Sequence, residues 1–256
     1  MNYPHGTFCW VDLGGADPGK ARRFYGGLLG WEFEDVGPAG DDPYTLARVD
    51  GKIVAGMHSH PGQDVPPHWD SYIAVDDIDA TVARVRELGG EVAVEPFDIP
   101  GTARGGVIAD PSRARVGLWQ ALGFPGAGLV NETGTWTWND LLTREPDSAS
   151  EFFEELFGWK TERVVDIYAS FTMGELLIGG MRTIAPEETT PPSWMPYFVV
   201  EDADIASGRV AELGGGVLIP PTAVPGGRFL VIHDGLRAAC GLIEMGPEGP
   251  SRGVGM

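Results

Sequence analysis

The feature of this sequence that most restricts its fold is an internal repeat. Residues 8–31 align without a gap with residues 136–159, and a tryptophan, an aspartate, a proline and a closing Gly-Trp pair recur at matching positions. A second block, which begins at Tyr72 in the first copy, recurs from Tyr197. Self-similarity of this kind means that one supersecondary unit is used more than once. Any fold for this chain must therefore contain the same unit at least twice.

The repeat also predicts how the chain is organised. Residues 5–122 form the first copy, residues 133–246 form the second, and the Gly- and Pro-containing segment 123–132 is the predicted linker. Residues 247–256 lack apolar periodicity, and we expect this tail to be disordered. The sequence therefore predicts two domains of similar length.

Each copy contains one order of strands and helices, and contains it twice. The residues from Phe8 to Leu13 alternate in the faces they present, which predicts a strand. Asp17 and Pro18 then begin a helix, as its N-cap and its first residue. Three β-rich runs follow, separated by turn residues, and the order restarts at Trp69. The sequence predicts an α+β fold built from four βαβββ motifs, which excludes a doubly wound parallel sheet.

Charge and composition exclude several classes of partner. The formal net charge of -19 repels phosphate backbones and anionic lipid, so we expect no nucleic-acid partner and no membrane partner. The N-terminal segment lacks a secretion signal, and no stretch approaches 18 apolar residues. Cys9 and Cys240 are the only cysteines and do not form a disulfide framework. We therefore expect a reduced, cytoplasmic protein.

Several motifs resemble one known family. They are the W-x-D-L strand, the D-P-x-x-A-x-x-F-Y helix, the L-L-G-W exit, the A-V-D-D-I-D-A helix start and the A-D-P-x-x-x-x-x-G-L-W ending. Together they resemble the vicinal oxygen chelate superfamily of glyoxalases, bleomycin-resistance proteins and dioxygenases, and within it a tandem actinobacterial subgroup labelled hydroxylase or glyoxalase-like antigen. The resemblance implies two tandem cups, each a mixed, curled sheet with helices on its outer face. Because one chain supplies all four motifs, we expect a monomer or a weak homodimer.

The family resemblance also implies where a metal would bind. Members of the family hold a divalent metal with His, Gln or Glu side chains near the starts and ends of particular strands. In this chain those positions carry Trp10, Asp70, Gly117, Trp138, Met195 and Gly241. Only Asp70 offers a metal donor, whereas a divalent site of this kind needs three or four. We therefore predict that the family metal is lost and that the protein uses no cofactor.

A group of histidines leaves an alternative metal site open. His58 and His60 are two residues apart, and His68 follows after a Pro-rich loop. Two side chains with this spacing on a strand point the same way, as metal ligands require. The matching positions of the second copy carry no histidine, so the group is not part of the repeated unit. Solvated histidines of a polar loop are the other interpretation.

The aromatic residues point to a different kind of site. If Val11 and Leu13 pack under the helix, the opposite face of that strand lines the cup. The candidate ligand-binding residues on this face and on neighbouring strands are Phe8, Trp10, Asp70, Trp119, Trp136 and Trp138. Indoles beside an acid on a concave face suit a flat, partly polar ligand. The alternative is that these rings simply fill the core.

Two aspartates are candidates for acid/base chemistry. Asp12 and Asp140 occupy matching positions, and either is a general base if burial raises its pKa. Tyr72 and Tyr197, on neighbouring strands, complete the candidate catalytic set. The alternative is that each aspartate accepts hydrogen bonds from nearby backbone N–H groups.

Three functions follow from these residues. The first is metal-independent binding of an aromatic or polycyclic small molecule, and the family resemblance implies a role in bacterial secondary metabolism or drug resistance. The second is a tailoring enzyme, such as a lyase, isomerase, cyclase or hydroxylase-like protein, that uses a pocket aspartate as its acid or base. A metal-dependent glyoxalase or dioxygenase ranks last because its ligands are missing.

The predicted loss of the metal is directly testable. Protein purified without a chelator should carry well under one transition-metal ion per chain, because the ligand positions offer too few donors. Inductively coupled plasma mass spectrometry measures this ratio. Stoichiometric zinc, nickel or iron that disappears in Asp70→Asn would contradict the prediction.

Overall fold

The computed structural model describes residues 2–15, 17–37, 44–59 and 66–246. In the first copy the elements are β1 (Phe8–Gly14), α1 (Pro18–Leu29), β2 (Glu32–Val36), β3 (Tyr44–Val49), β4 (Lys52–Met57), β5 (His68–Ala74), α2 (Ile78–Glu87), β6 (Glu91–Ile99), β7 (Ala103–Ala109) and β8 (Arg115–Ala121). In the second copy they are β9 (Trp136–Thr143), α3 (Pro146–Phe157), β10 (Lys160–Val165), β11 (Tyr168–Met173), β12 (Leu176–Thr183), β13 (Ser193–Val200), α4 (Ala203–Glu212), β14 (Gly216–Val224), β15 (Gly227–His233) and β16 (Ala239–Met245).

The strands form two eight-stranded mixed sheets with the same topology. Their orders are β2-β3-β4-β1-β5-β8-β7-β6 and β10-β11-β12-β9-β13-β16-β15-β14. In every motif the first strand pairs in parallel with the fourth, as β1 does with β4. The first strands of the two motifs in a sheet, such as β1 and β5, pair antiparallel at its centre. The predicted α+β fold of two curled sheets is thereby confirmed, and we call the sheets the first and second cup.

The helices begin and end where local sequence signals predict. The Asp17 carboxylate accepts a hydrogen bond from the backbone N–H of Lys20 and caps α1, whose first residue is Pro18. Gly30 ends α1 with a φ of 72°, a left-handed conformation that costs glycine little because it has no Cβ. Among the described helices, none combines the length and the apolar character that crossing a membrane requires.

The two copies insert aromatic rings into each other. Phe8 of β1 lies against Trp159 and Trp194 of the second copy, with ring centroids 5.9 and 5.0 Å apart. In the reverse direction, Phe198 of β13 lies 4.9 Å from Trp69 of the first copy. One continuous hydrophobic core therefore crosses the boundary between the copies.

Two hydrogen bonds also connect the copies, one in each direction. The indole Nε1 of Trp31 donates to the carbonyl oxygen of Gly134 at 2.6 Å, and that of Trp159 donates to the carbonyl oxygen of Gly6 at 2.8 Å. Both glycines have a positive φ, 79° at Gly6 and 80° at Gly134. An indole N–H buried without an acceptor is costly, so each bond holds a tryptophan of one copy against the backbone of the other.

A β-bulge in β1 breaks the alternation of side chains that the sequence pattern predicts. In β1, Trp10 pairs with Tyr72 but Phe8 pairs with Ile73, so Phe8 lies on the opposite face of the sheet from Trp10. The register shifts in the same way between Trp138 and Trp136 of β9. The expected alternation therefore does not hold at Phe8 and Trp136, and both leave the concave face.

The segment predicted as a linker packs along the first cup. Backbone N–H groups of Ala127 and Gly128 donate to the carbonyl oxygens of Cys9 and Ile53, at 2.9 and 2.7 Å. Phe124 adds an aromatic ring to the concave side of the cup. The predicted disordered tail, residues 247–256, lies outside the described residues.

The ring exchange leads to a stability prediction. Phe8→Ala should lower the free energy of unfolding by about 3–5 kcal/mol, since it leaves a cavity in the core shared by the copies. The matched control is Phe97→Ala, because Phe97 is 49% exposed. That change should cost about 1 kcal/mol or less. Urea denaturation measures both, and equal losses would contradict a core role for Phe8.

Candidate functional site

The polar centre of the first cup is Asp12. Its side chain is buried, and Oδ2 accepts a hydrogen bond from the hydroxyl of Tyr44 at 2.9 Å. That hydroxyl in turn accepts a hydrogen bond from the indole Nε1 of Trp10 at 3.3 Å. The other carboxylate oxygen, Oδ1, lies 3.3 Å from Nδ1 of His58. Asp12 is therefore held by a side chain of β3 and by the histidine that follows β4.

Two glycines let aromatic rings lie across the floor of this cup. A Cβ built on Gly56 would stand 2.0 Å from the hydroxyl oxygen of Tyr44. A Cβ on Gly117 would stand 2.1 Å from Cδ1 of Tyr72. Trp119 packs edge-on against Tyr72, with ring centroids 5.7 Å apart. The absence of side chains at the two glycines thus makes room for an aromatic floor.

Phe124 was not identified as a site residue from the sequence. Its ring lies edge-on to Trp10 at 5.0 Å and to Trp119 at 6.1 Å. Its carbonyl oxygen also accepts a hydrogen bond from Nε1 of Trp119 at 2.8 Å. Trp10 and Trp119 are therefore buried among other rings, and the partly exposed rings of this set are Tyr72 and Phe124.

A second imidazole–carboxylate pair stands at the rim of the first cup. Nε2 of His68 lies 3.2 Å from Oδ2 of Asp70, and Nδ1 of His68 lies 2.8 Å from the carbonyl oxygen of Pro66. A Cβ built on Gly14 would lie 3.2 Å from Nε2 of both His58 and His68. The two imidazoles therefore converge on one point. His60, the third histidine of the predicted group, lies outside the described residues.

These carboxylates change the acidity of their partners. The hydrogen bond to Asp70 is the largest influence on His68 and raises its pKa to about 9, against an opposing effect of burial. For His58, burial lowers the pKa, but the hydrogen bond and charge of Asp12 outweigh it and leave the pKa raised. Burial, reinforced by the charge of Asp12, raises the pKa of Tyr44 well above its ordinary value, so this phenol remains a neutral donor.

The second cup repeats the central carboxylate with different neighbours. Asp140 is buried and accepts hydrogen bonds from Nε1 of Trp138 and from the hydroxyl of Tyr168, both at 2.8 Å. Burial raises the pKa of Asp140, although these donors oppose the shift. Where the first cup has His58, this cup has Arg182, which binds both carboxylate oxygens of Glu188 at 2.8 and 2.9 Å.

The floor of the second cup is built in the same way as that of the first. The rings of Tyr168 and Tyr197 cover Gly180 and Gly241. A Cβ on Gly180 would lie 2.0 Å from the hydroxyl oxygen of Tyr168, and one on Gly241 would lie 2.0 Å from Cδ1 of Tyr197. The rim differs, because the residues that match Gly14, His68 and Asp70 are Leu142, Ser193 and Met195. Trp138 is partly exposed, whereas Tyr197 and Met195 are buried.

The residues at the family's ligand positions do not fit a metal. Trp10 and Trp138 place indoles there, and the rings of Tyr72 and Tyr197 cover the glycines at two further positions. Among the described residues, no three His, Cys, Asp or Glu side chains are arranged to hold a metal ion.

Tyr44 and Tyr168 were also missed by the sequence analysis. Each donates its hydroxyl hydrogen bond to the central aspartate of its cup, Asp12 or Asp140. A signal was present, because the two tyrosines occupy matching positions at the start of matching strands, β3 and β11. Recurrence of a polar aromatic residue in both copies was the clue.

Known proteins resemble this chain along almost its whole length. The family model "Glyoxalase/Bleomycin resistance protein/Dioxygenase superfamily" matches residues 7–118. "Putative glyoxylase CFP32" of Mycobacterium tuberculosis is 40% identical, over 96% of this chain and 97% of that protein. "Anthracycline biosynthesis protein DnrV" of Streptomyces peucetius is 31% identical, over 94% of each.

Solved structures show the same fold at low sequence identity. The Mn(II)-bound glyoxalase from Novosphingobium aromaticivorans has a TM-score of 0.65 and 16% identity, and the match covers 95% of this chain and 84% of that one. The 2,3-dioxygenase LapB from Pseudomonas sp. KL28 has a TM-score of 0.67 and 13% identity, over 99% and 98% of the chains.

The His68–Asp70 pair leads to a pH prediction. His68 should titrate near pH 9, so it stays protonated at neutral pH. Because the pKa is raised in the folded state, the pair's stabilising contribution is complete below about pH 6.5 and is lost as the pH rises through 9. NMR titration of the imidazole measures this. Asp70→Asn should lower the midpoint, whereas Asp79→Asn, at a surface ion pair with Arg104, should not. A wild-type midpoint near 6.5 would refute the pairing.

Proposed function

This chain belongs to the glyoxalase/bleomycin resistance/dioxygenase superfamily, and we propose that it is a metal-independent member that binds an aromatic or polycyclic small molecule in its cups. The observation that carries this proposal is common to both cups. A buried aspartate accepts a hydrogen bond from a phenol, and a partly exposed ring stands on the same concave face. Such a face supports stacking of a flat ligand, while the polar groups orient it.

The named relatives support a polycyclic ligand. Two of them, DnrV of Streptomyces peucetius and DauV of Streptomyces sp. strain C5, are called anthracycline biosynthesis proteins, and each is 31% identical to this chain. Anthracyclines are flat, polycyclic aromatic molecules with hydroxyl and carbonyl groups. We propose a comparable role in bacterial secondary metabolism or drug resistance, in which the protein either sequesters its ligand or assists its tailoring.

A second candidate function is that of a tailoring enzyme. Asp140 favours it, because burial raises the pKa of this carboxyl group and so helps it to hold a proton. Asp12, next to His58, is the matching candidate in the first cup. Mass spectrometry of a ligand after incubation separates the two functions, because sequestration returns the ligand unchanged. In either case the proposed working form is a monomer or weak homodimer whose partner is the small molecule.

Replacing one ring in each cup tests the proposal. Trp138→Ala in the second cup, or Tyr72→Ala in the first, should weaken the binding of a flat aromatic probe by roughly tenfold or more, since stacking is worth about 1–3 kcal/mol per ring. Quenching of intrinsic fluorescence measures affinity, and thermal melting measures stability. The variant that loses affinity identifies the occupied cup.

The control is Ile205→Ala, which removes a 70% exposed apolar side chain from helix α4 and should change neither quantity. A large fall in melting temperature with unchanged affinity in both cup variants would mean that these rings are core residues. The proposal would then be wrong.

A further inference from the structure

We propose that the boundary between the two copies opens first at one end, where Phe153 stands in the place that Tyr25 takes at the other. We call the two ends the α1 end and the α3 end, after the helix that each contains. The α1 end consists of Tyr25, Trp69 and Asp234, and the α3 end consists of the residues at the matching positions, Phe153, Trp194 and Asp110.

At the α1 end a single hydroxyl group joins the copies. The hydroxyl of Tyr25 accepts a hydrogen bond from Nε1 of Trp69 at 3.1 Å. It also donates one, at 3.2 Å, to Oδ2 of Asp234, which belongs to the second copy. All three side chains are buried. The hydroxyl thus satisfies a buried donor of the first copy and a buried acceptor of the second.

The α3 end has the same indole and the same carboxylate but no hydroxyl. Phe153 supplies a phenyl ring where Tyr25 supplies a phenol. Within the part of the chain that the structure describes, Nε1 of Trp194 and Oδ2 of Asp110 are buried and have no hydrogen-bond partner. These two atoms correspond to the two that the Tyr25 hydroxyl satisfies at the α1 end. A buried polar atom without a partner destabilises the folded state.

The aromatic packing at the two ends is nearly the same. The ring centroids of Tyr25 and Trp69 are 5.3 Å apart, and their planes meet at 85°. The ring centroids of Phe153 and Trp194 are 5.5 Å apart, and their planes meet at 81°. The ring of Phe153 therefore lies as the ring of Tyr25 does, and differs from it by one hydroxyl group.

Each helix also lies against the same part of the other copy. A Cβ built on Gly215 would stand 2.7 Å from Cε2 of Phe24 in α1, and a Cβ on Gly90 would stand 2.8 Å from Cε2 of Phe152 in α3. In both places the carbonyl oxygen of the residue before the buried aspartate lies within 3.0 Å of the same Cβ position. The two ends thus share their helix contacts as well as their ring geometry.

The missing hydroxyl lowers the cost of opening the α3 end. Separation at the α1 end breaks two hydrogen bonds of the Tyr25 hydroxyl. Separation at the α3 end exposes Trp194 and Asp110 to water, which satisfies two atoms that had no partner in the folded state. Proteins open locally in units of different stability, and the less stable unit opens more often. We therefore expect local opening at the α3 end.

The α3 end stands behind the second cup. Helix α3 follows β9, the strand that carries Trp138, and Trp194 precedes Met195 on the opposite face of β13. The α1 end stands in the same way behind β1 and β5 of the first cup. Opening at the α3 end therefore moves the wall of the second cup, and we expect this cup to adjust its shape more readily than the first.

Hydrogen exchange at the indole N–H groups tests the proposal in the intact protein. Isotope-labelled tryptophan gives one NMR signal for each indole, and Trp69→Phe and Trp194→Phe assign the two signals of interest. In the wild-type protein, the N–H of Trp194 should exchange with deuterium roughly tenfold faster than that of Trp69, which corresponds to about 1.4 kcal/mol in the free energy of opening. Equal rates would show that Trp194 has an acceptor, and would overturn the proposal.

Two substitutions test the role of the hydroxyl group. Phe153→Tyr should slow exchange at Trp194 roughly tenfold and raise the melting temperature by roughly 2–4 °C, because the added hydroxyl satisfies both unpaired atoms. Tyr25→Phe should accelerate exchange at Trp69 by a similar factor and lower the melting temperature. Hydrogen–deuterium exchange mass spectrometry should also show better protection of α3 in Phe153→Tyr.

The matched control is Phe97→Tyr, which adds the same hydroxyl to a ring that is 49% exposed. This variant should change neither exchange rate nor the melting temperature. Faster exchange at Trp194 in Phe153→Tyr, or unchanged exchange at Trp69 in Tyr25→Phe, would mean that the hydroxyl does not set the strength of the two ends. Either result contradicts the proposal.

Discussion

The exchange of aromatic rings between the two copies is the interaction on which the rest of this structure depends. Phe8 completes the aromatic cluster around Trp159, and Phe198 completes the one around Trp69. Each copy thus finishes its core with a ring from the other. This exchange occurs on the faces of the sheets opposite those that carry Trp10, Tyr72, Trp138 and Tyr197.

On the floors of the cups, aromatic rings occupy the region where other members of the family bind a metal. Glycine stands at two of the family's ligand positions, and a neighbouring tyrosine ring lies across each glycine. Tyr44 and Tyr168 repeat the same arrangement over Gly56 and Gly180, and bring their hydroxyl groups to the central aspartates. A small residue and a large ring thus replace a donor side chain. The result is a wall with π-faces and one oriented carboxylate.

The duplication has kept the floors alike and let the rims diverge. His58 and Arg182 occupy matching positions next to equivalent aspartates, but they differ in kind. An imidazole exchanges its proton near physiological pH, whereas a guanidinium stays charged and here forms a bidentate pair with Glu188. The first cup therefore presents an imidazole that can gain or lose a proton, and the second presents a guanidinium whose charge is already paired with Glu188.

The sequence alone determined the fold of this protein, because its signals are local and each is repeated. The Asp17 cap, the Gly30 helix end and the alternation of side chains in the strands each depend on only a few neighbouring residues. Because the sequence is duplicated, signals of this kind occur in both copies. Residue types alone also predicted the loss of the family's ligands. Tertiary structure decided on which face of the sheet particular side chains lie. A bulge turned Phe8 out of the cup to contact aromatic rings of the second copy. Strand pairing brought Tyr44 to Asp12, and the packing of segment 123–132 on the first cup brought Phe124 against Trp10. Bulges and contacts between distant segments are set by packing, which no local pattern encodes.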